Sequence, residues 1–79
     1  MKDLLNYIIS SITGSNDFSV EETRPEQSIV SFEVTADPAI IGLIIGREGK
    51  TIKNIRKILS IKATKEKVAV NISVIPSEV

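Results

Sequence analysis

Apolar residues near the start of the chain recur at helical spacing. Leu or Ile occupies positions 4, 5, 8, 9 and 12. Because side chains three and four residues apart share one face of an α-helix, residues 3–13 predict an amphipathic helix that packs on a core. Polar residues interrupt the apolar run too often for a targeting segment. Gly14 is placed to end the helix.

Alternating apolar and polar residues predict three β-strands. Residues 18–23 alternate weakly, residues 28–35 clearly, and residues 68–74 most regularly. A period of two is typical of a strand with one buried face. Residues 23–27 contain Pro25 and predict a tight turn. The first two strands therefore form an antiparallel hairpin.

Two helices are predicted between the second and third strands. Asp37 and Pro38 are a helix-start signal, because Asp caps free amides and Pro suits the first helical position. The helix at 38–45 is apolar nearly all round, so we expect most of it to be buried. Gly42 inside it costs about 0.5–1 kcal/mol relative to Ala, which suggests a close approach of another backbone. A second helix runs from near 50 to about 63, and residues 64–67 form a turn.

The predicted order is α-β-β-α-α-β, an α+β fold. A crossover through two helices lets the second and third strands run parallel. We expect a three-stranded mixed sheet with three helices on one face, in a single domain over residues 1–79. Residues 1–25 supply the N-terminal helix and strand, and residues 28–75 supply a β-α-α-β core. The last residues are expected to fray.

The composition narrows the possible functions. The chain has no Cys and no His, which removes thiolate chemistry, the commonest metal ligand and the usual general base. We therefore expect no enzyme, no metal and no cofactor. The aromatic residues Tyr7, Phe18 and Phe32 are all assigned to the core. No apolar run is long enough to span a membrane, and we expect a cytoplasmic protein.

Charge divides the chain into two halves. Residues 1–37 carry two basic and seven acidic side chains, whereas residues 38–79 carry eight basic and three acidic ones. All eight cations of the second half lie between positions 47 and 67. This asymmetry predicts an anionic ligand on the second half.

The segment from Gly46 to Gly49 separates the two central helices. Two glycines three apart allow a tight angle and a close approach of another backbone. We expect their amide hydrogens, with the positive end of the following helix, to face a phosphodiester. Lys50, Lys53 and Lys57 recur along one side of that helix.

This arrangement resembles a known family. The I-G-x-x-G-x-x-I signature of KH domains resembles the segment Ile41-Gly42-Leu43-Ile44-Ile45-Gly46-Arg47-Glu48-Gly49-Lys50-Thr51-Ile52. The element order is similar to the type II, bacterial arrangement. The length resembles that of small stand-alone bacterial KH proteins. The resemblance implies single-stranded RNA binding by an RNA chaperone or post-transcriptional regulator, with self-association or a second KH protein as partner.

The resemblance also implies site residues. Gly46 and Gly49 would admit the RNA backbone, and Arg47 and Lys50 would contact phosphates, with Lys53 and Lys57 adding charge along the helix. Glu48 is a departure, because an acid repels phosphate and must find another partner. Ile41, Ile45 and Ile52 would supply apolar groove surface for about four nucleotides.

Two alternatives stay open. Glu48 and the zero net charge favour a protein-interaction adapter that keeps the fold without the ligand. No residue of the sequence can be assigned to contact the 2′-hydroxyl that distinguishes RNA from DNA. Single-stranded DNA is therefore the other candidate ligand.

Overall fold

A computed structural model describes residues 1–77 of the chain. It confirms the predicted α+β order and the three-stranded mixed sheet. The elements are α1 (Lys2–Thr13), β1 (Phe18–Glu26), β2 (Ile29–Ala36), α2 (Pro38–Ile45), α3 (Lys50–Lys65) and β3 (Ala69–Pro76). A single 3₁₀ turn over Arg47–Gly49 joins α2 to α3.

The central strand β2 pairs with both of its neighbours. β1 runs antiparallel to it, with Phe18 opposite Ala36. β3 runs parallel to it, with Ile29 opposite Ala69. The predicted crossover through α2 and α3 is thereby confirmed.

One face of β2 forms the centre of the core. Val30, Phe32, Val34 and Ala36 alternate along the strand and are at most 4% exposed. Each helix adds buried residues to the same cluster: Leu5 and Ile9 from α1, Ile41 and Ile44 from α2, and Ile55 and Leu59 from α3. All three helices therefore cover the same face of the sheet.

Tyr7 was predicted to lie in the core, and this prediction is wrong. Its side chain is 69% exposed on α1. Leu5 and Ile9 are the buried residues of that helix. Tyr7 is two residues from each of them, which places it on the opposite side of the helix.

The turn predicted around Pro25 is also wrong. β1 continues to Glu26, and only Gln27 and Ser28 form the turn. Pro is tolerated here because β1 is an edge strand and its pairing register shifts between Thr23 and Glu26. The missing amide of Pro25 therefore breaks no regular ladder.

The predicted start of α2 is confirmed. Asp37 Oδ1 accepts a hydrogen bond from the Ala39 amide at 2.9 Å, and Pro38 is the first helical residue. The α3 helix runs two residues further than predicted, to Lys65, and Lys67 in the turn that follows lies in the left-handed region (φ 59°). The Val68 amide donates to the Ala63 carbonyl at 3.0 Å, which satisfies the last turn.

The chain end is ordered as far as it is described. Ile75 and Pro76 belong to β3, and the Ser77 amide donates to the Ala36 carbonyl at 2.7 Å. The predicted fraying does not apply to these residues. Positions 78 and 79 lie outside the described residues.

The second face of the sheet is polar and acidic. Glu21 and Glu33 lie directly opposite each other in the β1–β2 register, and both are exposed. They alternate with the buried Val20 and Val34, so they point away from the helices. In residues 1–77, no helix combines the length and apolar character needed to cross a membrane.

Candidate nucleic-acid interface

The loop between α2 and α3 has an unusual backbone. Gly46 (φ 74°, ψ 176°), Glu48 (φ 57°, ψ 23°) and Gly49 (φ 74°, ψ 15°) all have positive φ. The Gly46 conformation is essentially restricted to glycine, and a left-handed Glu costs on the order of 1–3 kcal/mol. Such strain persists where the surrounding structure imposes it, and it is common at binding sites.

The two glycines are required for different reasons. A Cβ built on Gly46 would collide with the side chain of Thr51 and would lie only 2.6 Å from the Thr51 Cβ. A Cβ on Gly49 would meet no atom within 4 Å. Gly46 is therefore needed for both space and φ, whereas Gly49 is needed for its φ alone.

The expectation that both glycines offer free amides is wrong. The Gly46 amide donates to the Gly42 carbonyl at 2.9 Å, and the Gly49 amide donates to the Gly46 carbonyl at 3.2 Å. Within the turns and helix caps of residues 1–77, the amides of Arg47 and Glu48 make no backbone hydrogen bond. Any amide donation by this loop must therefore come from its two middle residues.

The predicted cationic residues are all on the surface. Arg47 lies at the loop, and Lys50, Lys53 and Lys57 lie along α3, all of them exposed. Glu48 is exposed between Arg47 and Lys50. These residues form a mostly basic strip that begins at the loop and follows α3.

Arg56 extends this strip and was missed in the sequence-based site. It lines a shallow depression of about 530 Å³ together with Lys53, Lys57, Ser60 and Ile61. The sequence does contain a signal for Arg56, because it follows Lys53 by three residues and residues at this spacing are neighbours on the helix surface.

The three apolar site residues differ in burial. Ile41 is 7% exposed and belongs to the core, which leaves little of it for a ligand. Ile45 and Ile52 are half-buried and pack against the core with part of their surface open. The structure therefore brings Ile45 and Ile52, rather than Ile41, to the surface on either side of the loop.

The outer side of α2 contradicts two predictions. Pro38, Ala39, Gly42 and Leu43 are exposed, and Leu43 reaches 51%, so most of the helix is not buried. Apart from its chain neighbours and the nearby backbone of α2 itself, no atom lies within 4 Å of a Cβ built on Gly42, so no other element's backbone approaches there. Gly42 lies one turn before Gly46, which makes it a candidate for contact with a ligand instead.

Comparison with known proteins assigns the family. The model of the KhpA/KhpB KH domain matches residues 2–74. The chain belongs to the KhpA/KhpB family. The RNA-binding protein KhpA of Chlamydia caviae is 36% identical over 75 residues, which cover 94% of this chain and 95% of that protein. Those of Clostridium acetobutylicum (36% identical) and Clostridium perfringens (33% identical) align over 76 residues, or 95% of this chain and all of the relative.

The predicted resemblance to a bacterial KH domain is thus confirmed over nearly the whole chain. The KhpA relatives are named for binding RNA and not for a reaction. In residues 1–77, no group of three or more acidic side chains comes together as a metal site would require.

The substitution Gly42→Ala tests whether the outer side of α2 is free of contacts with other elements. We expect Gly42→Ala to raise the free energy of unfolding by about 0.5–1 kcal/mol, because Ala costs less backbone entropy in a helix and its Cβ meets nothing. Urea denaturation measures the change. Gly49→Ala is the matched control and should lower stability because of its positive φ. A Gly42→Ala protein less stable than the wild type would show that a close contact exists at this position.

Proposed function

We propose that this chain binds single-stranded RNA without catalysing a reaction on it, and that the loop Gly46–Gly49 holds the RNA backbone. The proposal rests on three neighbouring features of the structure. An uncharged helix, α2, ends at a strained loop, and exposed cations follow at once on α3. The names of the KhpA relatives support RNA as the ligand.

Phosphate contacts come from the basic strip. Arg47 and Lys50 flank the loop, and Lys53, Arg56 and Lys57 continue along α3. Opposite charge near phosphate supplies most of the sequence-independent affinity for a nucleic acid and makes it dependent on salt. The amides of Arg47 and Glu48 add donors to the same sugar-phosphate segment.

Base contacts come from apolar surface beside the loop. Ile45 and Ile52 are half-buried and offer part of their side chains to a base, whereas Ile41 packs beneath them in the core. Gly42 has no side chain, so a flat base can approach α2 there. Aromatic stacking, which contributes about 1–3 kcal/mol per base, has no side chain to supply it on α2 or α3. We therefore expect moderate affinity and little base selectivity from one copy.

In the cell, such a protein acts as an RNA chaperone or post-transcriptional regulator in the cytoplasm. Its small site explains why a partner is useful, because two linked weak sites bind far more tightly than one. The partner is a second copy or a KhpB-type KH protein. The exposed Ile58 (44%) and Ile61 (65%), which line a depression with Leu4, offer apolar surface for that contact.

Two other functions are separable by experiment. Single-stranded DNA as the ligand would appear in a competition between RNA and DNA oligonucleotides of one sequence. A protein-interaction adapter is favoured by the same exposed isoleucines. It would show a stable protein complex without salt-dependent RNA binding.

Charge reversal at the loop tests the main proposal. We expect Arg47→Asp with Lys50→Asp to weaken binding of a single-stranded RNA by more than about tenfold, because two attractive contacts become repulsive. The slope of log affinity against log salt should fall by about 1.4, or about 0.7 for each lost phosphate contact. Fluorescence anisotropy over a series of salt concentrations measures both quantities.

The control carries the same change in net charge away from the loop. Lys2→Asp with Lys67→Asp should bind RNA nearly as well as the wild type. Equal affinity of the loop variant and the wild type, with both folded, would show that the RNA is held elsewhere.

Glu48 should weaken the binding that its neighbours provide. We expect Glu48→Gln to tighten RNA binding by about two- to fivefold at low salt, because it removes a negative charge close to phosphate. Glu66→Gln, at the far end of α3, is the control and should leave affinity unchanged. A weaker Glu48→Gln protein would mean that the carboxylate itself accepts a hydrogen bond from the RNA.

Self-association depends on the exposed isoleucines. We expect Ile58→Lys with Ile61→Lys to lower the dimer fraction measured by light scattering, since charge is expensive in an apolar contact. Ile75→Lys, on the second face of the sheet, should leave the dimer fraction unchanged. A dimer that survives the first pair of changes would place the contact on another surface.

A further inference from the structure

Thr51 occupies the space that a side chain on Gly46 would need. It lies in the first turn of α3, and a Cβ on Gly46 would be 2.6 Å from its Cβ, 3.0 Å from its backbone nitrogen and in still closer conflict with its Oγ1. Real Cβ atoms almost never approach another atom within 3.0 Å. The end of α2 and the start of α3 are thus fitted together at these two residues.

The Thr51 hydroxyl differs from those of the other helical threonines. Thr13 and Thr64 donate to the carbonyls of Ile9 and Ser60, four residues earlier, both at 2.8 Å. The side-chain hydrogen bonds within residues 1–77 do not involve Thr51. Every fully buried side-chain polar atom in this part of the chain has a partner, so Thr51 Oγ1 still reaches solvent.

The loop needs a contact of this kind. Glycine populates many backbone conformations, so glycines at 46 and 49 permit the observed loop without selecting it. The Gly49 amide closes only the short turn to Gly46. A side chain that packs against Gly46 from the next helix sets how closely the end of α2 and the start of α3 can approach each other.

We infer that Thr51 is the positioning residue of the binding loop. Its Oγ1, packed on Gly46, holds the loop in the shape in which Arg47 and Lys50 face the same phosphate segment. Preorganising a loop in its bound shape strengthens binding by removing the cost of ordering it. The RNA consequence rests on the proposed function, but the contact between Thr51 and Gly46 does not.

Two substitutions at Thr51 and one at Thr64 separate the role of the Thr51 Oγ1 from a general effect of replacing a threonine. Thr51→Ser keeps Oγ1, Thr51→Val replaces it by a bulkier methyl group, and Thr64→Val makes the same change at a threonine far from the loop. We expect Thr51→Val to bind single-stranded RNA about five- to tenfold more weakly than the wild type, and Thr51→Ser to stay within about twofold. Thr64→Val should bind RNA as the wild type does. The melting temperature of Thr51→Val should fall no further than that of Thr64→Val, which loses the hydrogen bond from Thr64 Oγ1 to the Ser60 carbonyl. Loss of stability would then not explain the loss of binding.

A double-mutant cycle tests the contact without RNA. Gly46→Ala introduces the colliding Cβ, and Thr51→Gly removes the side chain it collides with. We expect the double variant to recover part of the urea midpoint lost in Gly46→Ala, so that the two changes are not additive. Additive losses would show that Gly46 is needed for its φ alone and would overturn the inference.

Two outcomes of the RNA measurements would contradict the role inferred for Thr51. Thr51→Val binding as tightly as the wild type, or Thr51→Ser binding as weakly as Thr51→Val, would overturn the positioning role. A wild-type protein that binds no RNA at low salt would instead overturn the proposed function, and the double-mutant cycle would still report on the contact.

Discussion

Burial of one face of β2 is the constraint on which the remaining structure depends. A chain of 79 residues buries only about 60–65% of the surface that it exposes when unfolded, so its core is thin. β2 is the strand with neighbours on both edges, and its four inward side chains meet buried residues from every helix. Because α2 and α3 must both cover this strand, the short connection between them is forced to the surface. The position of the loop between α2 and α3 therefore follows from the packing of the core.

Local signals predicted the elements well, and tertiary contacts account for the errors. The bounds of α2 followed from Asp37 and Pro38 at one end and Gly46 at the other, because caps act within a few residues. Pro25 was misplaced because its tolerance depends on β1 being an edge strand, which no local pattern reveals. Tyr7 was misplaced because an aromatic residue was assumed to be buried, although its phase on the helix opposed this.

The loop was recognised from the sequence, and so was the backbone freedom that its glycines supply, but the contacts that these glycines make were not. Spacing alone could not show that the amides of Gly46 and Gly49 are used within the fold, or that Thr51 fills the space beside Gly46. The charge asymmetry along the chain became an asymmetry in space. Glu21 and Glu33 lie on the sheet face away from the helices, whereas the cations follow α3. The acidic and the basic side chains thus lie on different surfaces of the molecule.

The parallel pairing of β2 with β3 has a consequence for how binding can be lost. Both helices and the loop lie within the crossover that this pairing closes. Opening the last strand would release α3, which packs on it, and would separate the two helices that frame the loop. Small domains of this kind tend to open as cooperative units. The geometry of the α2–α3 loop therefore exists only in the complete fold. A partly folded chain would carry the same charges without that geometry.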